Sequence, residues 1–284
     1  MKRVLIIGKE SYIGESIFKW LKLYPQKYKV AIISPLNYQW KEIDFSQYEI
    51  VINLAGIAHI KNIKKNMRNL FYSINRDLTI EIGEHAKKRG IKYFINFSSM
   101  NVYGDYAQVV EDRDKVNPTS FYGDSKLQGE IGLKKLEDSN FIVANIRPPF
   151  VYGKGCKGNY NTISKIAKKI PIFPTYKNKK SMIYIDNLCE FIRLLIEDGV
   201  GGVYTPQNKE LVSTFDLVRE IANVKNHQIK YVCYFNWAIP FVMRFFGVVK
   251  KAFIDDSYDL KLSNYYNFRY CVVDFITSIK RTEI

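Results

Sequence analysis

The sequence predicts an α/β protein built on a doubly wound parallel sheet, with a smaller C-terminal lobe. Short apolar runs alternate with stretches whose apolar residues recur at helical spacing, the rhythm of a parallel sheet covered by helices on both faces. The first apolar run ends in a glycine-bounded turn that opens a helix. The composition, 47% apolar and 25% charged over 284 residues, is that of a folded chain with a substantial core.

Residues 2–7 form a short buried strand, and Ile13, Ile17, Trp20 and Leu21 then share one face of a helix over 14–23. Strands follow at 29–34 and 50–54, a helix at 78–89 and a strand at 93–97. A helix over 121–136 and a strand over 141–146 continue the pattern. At about 150 residues per domain the length suggests two units. The sheet domain takes 1–150, and 151–284 forms mainly the lobe, some of whose segments return to the sheet. Beyond 151 the alternation loosens, beginning with a glycine- and lysine-rich stretch at 152–159. The aromatic run 231–253 contains Asn236, Pro240, Arg244 and Lys250, whereas a membrane span needs about 20 mostly apolar residues. It is read as a buried helix of the lobe. The alternative is a peripheral membrane contact through a helix lying on the surface, because Phe and Trp stand beside Arg244, Lys250 and Lys251.

Lys and Arg outnumber Asp and Glu by 43 to 28, a net charge of +15, which favours phosphate-bearing substrates, anionic lipid and other polyanions. The basic residues are spread along the chain without an arginine-rich tract, so nucleic acid is not expected as a partner. Cys156, Cys189, Cys233 and Cys271 lie far apart with no CxxC pair, and His59, His85 and His227 add no ligand cluster. No metal site and no disulfide framework follow from this spacing. The apolar run 4–7 is too short for a signal peptide core, and a reduced cytoplasmic location is expected.

Three motifs carry chemistry. In the first turn, Gly8 and Gly14 bound a loop with Ser11 at its middle, between strand and helix. Glycines there let the main chain approach a pyrophosphate held at the helix N-terminus. Tyr122 and Lys126 are four residues apart on a helix, so phenol and ammonium share a face. A cation there favours the phenolate and suits the tyrosine to proton exchange with a substrate oxygen. Ser98 and Ser99 end the strand 93–97, at the carboxyl edge where open α/β sheets bind ligands, so Ser99 can bond the same oxygen.

Together with Asn53 to Gly56, Asn75, the stretch Ser98 to Gly104 and the stretch Arg147 to Gly153, these motifs resemble the extended short-chain dehydrogenase/reductases that act on nucleotide sugars. The resemblance covers nearly the whole chain and is nearest to the UDP-glucose 4-epimerase-like proteins and the reductases of UDP-4-keto-6-deoxy-N-acetylhexosamines. It implies a Rossmann-type domain, a substrate-binding C-terminal lobe, a homodimer and a role in surface polysaccharide synthesis. It makes Tyr122 the acid/base, Lys126 its partner and ribose anchor, and Ser99 the donor at the sugar oxygen. Gly8, Ser11, Tyr12, Ile13 and Gly14 would cradle the pyrophosphate of NAD. Asp44 and Phe45 match an adenine-contacting pair, and Leu54, Ala55, Gly56 and Asn75 line the adenosine and nicotinamide side. Lys180 stands where the family has an arginine on the substrate diphosphate, keeping the charge and losing the bidentate fork. Lys157 and Asn159 are further candidates at the nucleotide end of the substrate, and Asn101 and Phe150 at the sugar.

Departures from the family pattern discriminate between reactions. Met100 and Asn101 occupy the positions where nucleotide-sugar 4,6-dehydratases carry Asp-Glu, so dehydration is excluded. Phe150 replaces an asparagine typical of galactose epimerases, which suits a 4-keto reductase. Ser34 stands where an acid would bond the adenosine ribose, with Lys9 nearby, which admits NADP beside NAD. A 4-epimerase is the leading expectation and an NAD(P)H-dependent 4-keto reductase the alternative. A silent dinucleotide-binding module would have lost the Tyr122 and Lys126 pair, and both residues are present.

Overall fold

The computed structural model describes residues 1–58, 67–104 and 108–284, so His59 lies outside the described residues. The strands are β1 (Lys2–Ile7), β2 (Tyr28–Ile33), β3 (Ile50–Asn53), β4 (Tyr93–Phe97), β5 (Gln108–Val110) and β6 (Ile142–Ile146). They continue as β7 (Phe150–Tyr152), β8 (Ile172–Pro174), β9 (Met182–Tyr184), β10 (Gly202–Tyr204), β11 (Lys230–Val232) and β12 (Asp256–Tyr258). The first α-helices are α1 (Tyr12–Leu21), α2 (Arg68–Tyr72), α3 (Thr79–Lys88), α4 (Phe121–Leu136) and α5 (Asn159–Ala167). After them come α6 (Ile185–Asp198), α7 (Thr214–Val224), α8 (Ile239–Phe245), α9 (Gly247–Phe253) and α10 (Phe275–Glu283).

Six strands make one sheet in the order β10-β6-β4-β3-β1-β2, every neighbour parallel. Val4 to Ile7 of β1 and all of β3 and β4 are buried. Both sheet faces are covered, which is why these strands read as near-continuous apolar runs. On one face Leu5, Ile7, Val51, Phe94 and Val143 pack with Ile82 and Ala86 of α3 and Leu133 of α4. Against α1 lies α6: Trp20 Nε1 donates to Glu190 Oε2 at 3.0 Å. The strand order reverses between β1 and β3, and the carboxyl ends flanking such a switch point form the ligand crevice of doubly wound sheets.

The chain forms two compact units. The first comprises Met1–Asp105, Arg113–Pro148 and Leu188–Pro206, and the second Tyr106–Asp112, Pro149–Asn187 and Gln207–Ile284. Most of α6 and the strand β10 thus belong with the sheet although they follow residue 150 in sequence. The second unit is held by short parallel pairs, β7 with β9, β8 with β11 and β5 with β12. Within this unit lies a buried polar network: Tyr152 and Ser278 share a hydrogen bond of 2.6 Å, and Asn208 Nδ2 donates to the Tyr152 hydroxyl at 3.1 Å. Asn187 Nδ2 reaches Asn208 Oδ1 at 3.0 Å and the Val273 carbonyl at 2.9 Å.

Residues 231–253 do not form the single buried helix expected of them. The segment runs through β11, a 3₁₀ turn at Asn236–Ala238, and the two seven-residue helices α8 and α9. Pro240 sits in the first turn of α8, and Phe246 is extended between the two helices (φ −119°, ψ 102°). Most of its aromatic rings are exposed.

Candidate functional site

The turn after β1 is as tight as its glycines allow. A Cβ on Gly14 would lie 2.4 Å from the Gly8 carbonyl oxygen, and one on Gly8 would lie 2.8 Å from Leu54 Cβ in the loop after β3. Ser11 takes the N-cap of α1, its hydroxyl accepting from Gly14 N at 3.3 Å, so the serine in the middle position closes the turn by capping the helix. Tyr12 and Ile13 open this ten-residue helix. A bare glycine turn leading into a helix N-terminus at the switch point is the arrangement that receives a pyrophosphate, and the residues present fit a dinucleotide there.

The remaining cofactor candidates divide by what their side chains already do. Ser34 Oγ accepts from Leu36 N at 3.1 Å and Asp44 accepts from Ser46 N at 3.1 Å, so both cap the turns that follow them. The bonds from Ser46 and Gln47 hold the Asp44 carboxyl below its ordinary value. Phe45 is fully buried against Trp40 and His85, leaving only its main chain to offer a ligand. Leu54, Ala55 and Gly56 follow β3 at its carboxyl end. Asn75 is buried within a π-helical turn at Ser73–Leu78, a feature often found at functional sites. Its Oδ1 accepts from Ile57 N at 2.8 Å, and its Nδ2 donates to the Ile57 carbonyl at 3.2 Å and to Ser125 Oγ at 3.0 Å. Asn75 therefore ties the loop after β3 to α4.

Ser99, Tyr122 and Lys126 come together because α4 approaches its neighbours backbone to backbone. A Cβ on Gly123 would lie 2.2 Å from the Asn101 carbonyl, and one on Gly129 would lie 2.7 Å from the Asn75 carbonyl. Ser120 caps α4 and places Tyr122 in its first turn. Ser99 caps the 3₁₀ turn Met100–Tyr103, accepting from Asn101 N at 3.2 Å and donating to Asn101 Oδ1 at 3.0 Å. Its hydroxyl also acts on the Tyr122 phenol. Burial pushes that phenol above its ordinary value, and Ser99 pulls it back. The expected lowering by Lys126 does not figure among these causes. The Lys126 ammonium donates to the main-chain carbonyls of Phe97 at 2.9 Å and Ala55 at 3.5 Å. Burial takes Lys126 itself down to about 8, with Glu130 one turn further on opposing that shift.

Two buried polar systems brace this region and were not singled out from the sequence. Asn53, Asn96 and Asn145 occupy one register across β3, β4 and β6. Asn53 Nδ2 donates to Asn96 Oδ1 at 3.2 Å, and Asn96 Nδ2 to Asn145 Oδ1 at 2.9 Å. The signal is an asparagine near the end of each of three otherwise apolar strands. The second system is the ion pair of Arg147 and Glu130, with side chains only 6% and 5% exposed. Arg147 Nε lies 3.0 Å from Glu130 Oε1, and Nη2 lies 2.6 Å from Oε2. Arg147 Nη1 also donates to the Tyr103 hydroxyl and the Arg113 carbonyl, each at 2.7 Å.

Phe150, Lys157, Asn159 and Lys180 all fall in the second unit, whereas the cofactor and catalytic candidates fall in the first. Phe150 opens β7 and is partly buried; Lys157 and Asn159 are exposed at the start of α5. Lys180 donates to the Lys251 carbonyl at 3.2 Å, and burial lowers its pKa against the pull of Asp256 and Asp255. Among the described residues no group of three His, Cys, Asp or Glu side chains could hold a metal ion.

The chain is 27% identical to a UDP-glucose 4-epimerase of Vibrio cholerae over 249 residues, 78% of this chain and 75% of that protein. It is 30% identical to an N-acetyl-alpha-D-glucosaminyl-diphospho-ditrans,octacis-undecaprenol 4-epimerase of Escherichia coli O157:H7 over 247 residues, 80% of this chain and 73% of the relative. Among solved structures, the UDP-glucuronic acid 4-epimerase of Bacillus cereus in complex with NAD superposes with a TM-score of 0.75 at 16% identity, covering 99% of this chain and 95% of the other. A dTDP-4-dehydrorhamnose reductase of Clostridium acetobutylicum superposes with a TM-score of 0.66 at 20% identity, over 81% of this chain and 83% of the other. The family model described as NAD dependent epimerase/dehydratase matches residues 4–205. The chain belongs to the NAD dependent epimerase/dehydratase family of enzymes.

Proposed function

We propose that the chain is a nucleotide-sugar 4-epimerase, acting on a UDP-hexose or UDP-N-acetylhexosamine in surface polysaccharide synthesis. The observation that carries this reading is Ser99 acting on the Tyr122 phenol, with Lys126 one turn along α4 and donating to the Phe97 carbonyl, at the carboxyl end of the sheet. Two relatives named as 4-epimerases support it.

The bare turn from Gly8 to Gly14 fits NAD(P). Gly8, Ser11, Tyr12, Ile13 and Gly14 would hold its pyrophosphate, Asp44 and the main chain of Phe45 its adenine, and Lys126 its ribose. Leu54, Ala55 and Gly56 would line it, with Asn75 bracing that loop. When bound, this cofactor supplies a ring that takes up a hydride from sugar C4 and returns it. Tyr122 takes the proton of the C4 hydroxyl as the C4–H bond breaks, and gives it back once the bond has re-formed on the opposite face. Ser99 holds the C4 oxygen through both halves. Burial favours the phenol and the Ser99 hydroxyl favours the phenolate, and their balance sets the protonation of Tyr122. Met100 and Asn101 offer no acid and base for eliminating water. Phe150 and Asn101 would meet the sugar, and Lys157, Asn159 and Lys180 the nucleotide end.

A second reading, an NAD(P)H-dependent reductase of an NDP-4-keto-6-deoxy sugar, is favoured by Phe150 and by Ser34 in place of an acid after β2. In that reaction Tyr122 donates its proton once to the C4 oxygen. Identifying the nucleotide released from freshly purified, heat-denatured protein separates the two readings. Stoichiometric NAD retained through desalting supports the epimerase, and an empty protein that takes up NADPH supports the reductase. The substrate panel includes polyprenyl-diphosphate-linked N-acetylglucosamine beside the UDP-sugars, because the Escherichia coli relative is named for such a carrier. A homodimer, a cytoplasmic location and a peripheral membrane contact belong to the same reading.

A further inference from the structure

Between residues 234 and 246 the second unit displays Tyr234 (78% exposed), Phe235 (67%), Trp237 (81%), Phe241 (66%), Phe245 (65%) and Phe246 (61%). Phe241 and Phe245 lie one helical turn apart with ring centroids 5.0 Å from each other. The flanking cations Arg244, Lys250 and Lys251 are exposed, and residues 230–254 contain no Asp or Glu. Apolar surface gathered this densely marks an interaction face.

The chemistry of the face selects its occupant. Trp and Tyr with Lys and Arg form the set that settles at the water–hydrocarbon boundary of a bilayer. The cores of protein interfaces are depleted of lysine, whereas every charge here has one sign, on a chain of net charge +15. The helices α8 and α9 are seven residues each, and no described helix is long and apolar enough to cross a membrane. The segment can lie on a bilayer and cannot span one. We infer that this face docks the protein on an anionic lipid bilayer, with the aromatic rings at headgroup level and Arg244, Lys250 and Lys251 against the headgroup anions. The inference deepens the membrane contact within the proposed function. It stands on this face alone, whatever carrier the sugar has.

The test is co-sedimentation of the full chain with phosphatidylcholine vesicles, with and without phosphatidylglycerol, read in parallel by tryptophan fluorescence. Trp40 is fully buried and the Trp20 ring nitrogen is bonded to Glu190, so Trp237 reports the contact. The expected result is binding to the anionic vesicles with a blue shift in emission. Reversing Arg244 and Lys251 together (R244E/K251E) weakens that binding by more than about tenfold. Trp237→Ser with Phe241→Ser and Phe245→Ser abolishes it while nucleotide content and thermal midpoint stay unchanged. Failure to bind anionic vesicles overturns the inference, as does equal binding by wild type and both variants. Self-association of the wild type that is lost in the aromatic variant, without vesicle binding, assigns the face to a second copy and also overturns it. None of these outcomes alters the nucleotide analysis that tests the enzyme reading.

Discussion

Replacing Glu130 by Gln tests the bracing of the site through one pair of atoms. In the folded chain the Arg147 guanidinium meets the Glu130 carboxylate through Nε at 3.0 Å and Nη2 at 2.6 Å, with both side chains at least nine-tenths buried. Glutamine keeps one acceptor oxygen and turns an NH₂ group toward a donor, leaving a buried cation without its counter-charge. Breaking such a pair from one side costs about 3–5 kcal/mol. For a chain of this size each kcal/mol moves the thermal midpoint by about 2–4 °C, so a fall of about 10 °C is expected by circular dichroism. Removing both charges with Glu130→Leu and Arg147→Met restores more than half of the loss, because no unpaired ion remains. A cost below about 1 kcal/mol for Glu130→Gln would refute the reasoning, as would a double variant whose loss equals the sum of the singles. The substitution also removes the acid that raises the Lys126 pKa, so it lowers the titration point of that ammonium further.

Other substitutions probe the site directly. Tyr122→Phe retains bound cofactor and loses about 10²- to 10⁴-fold in turnover, read as 4-epimer formed per released NAD. Gly14→Ala places a methyl group 2.4 Å from the Gly8 carbonyl and weakens NAD binding at least about tenfold, measured by calorimetry. Lys126 titrates at about 8 in the folded chain against an ordinary 10.5. Between those values the unfolded chain binds the additional proton, so stability rises with pH there, by about 3 kcal/mol. In Lys126→Met that rise disappears from the urea-unfolding free energy measured from pH 7.5 to 10.

The sheet was legible because β1, β3 and β4 are buried on both faces and so appear as apolar runs of the right length, interrupted among their buried positions by Asn53 and Asn96. The strand β10 has only three residues, Gly202–Tyr204, too few to show a period, and it joins β6 through pairing that no local pattern announces. The turn at 73–78 escaped for a related reason. Its π-helical form goes with bonds from Asn75 to Ile57 and Ser125, which are distant in sequence. At the site, the Gly8 turn and the four-residue step from Tyr122 to Lys126 were readable as spacing. What spacing left out is burial, which raises the Tyr122 phenol and lowers the Lys126 ammonium. The run 231–253 shows the same gap. Its apolar content suggested a buried helix, whereas Pro240 and the extended Phe246 divide it into short pieces with their rings outward.

The most direct measurement follows the hydrogen at sugar C4. UDP-glucose and UDP-N-acetylglucosamine carrying deuterium at C4 are incubated with the protein as purified, and the products are separated and analysed by mass spectrometry. If Tyr122 moves only the hydroxyl proton while the C4 hydrogen is lent to the cofactor and returned, the 4-epimer forms with its deuterium retained, and Tyr122→Phe forms none. A 4-epimer that has exchanged its deuterium with solvent would contradict this mechanism, as would the absence of any 4-epimer from a protein that holds stoichiometric NAD.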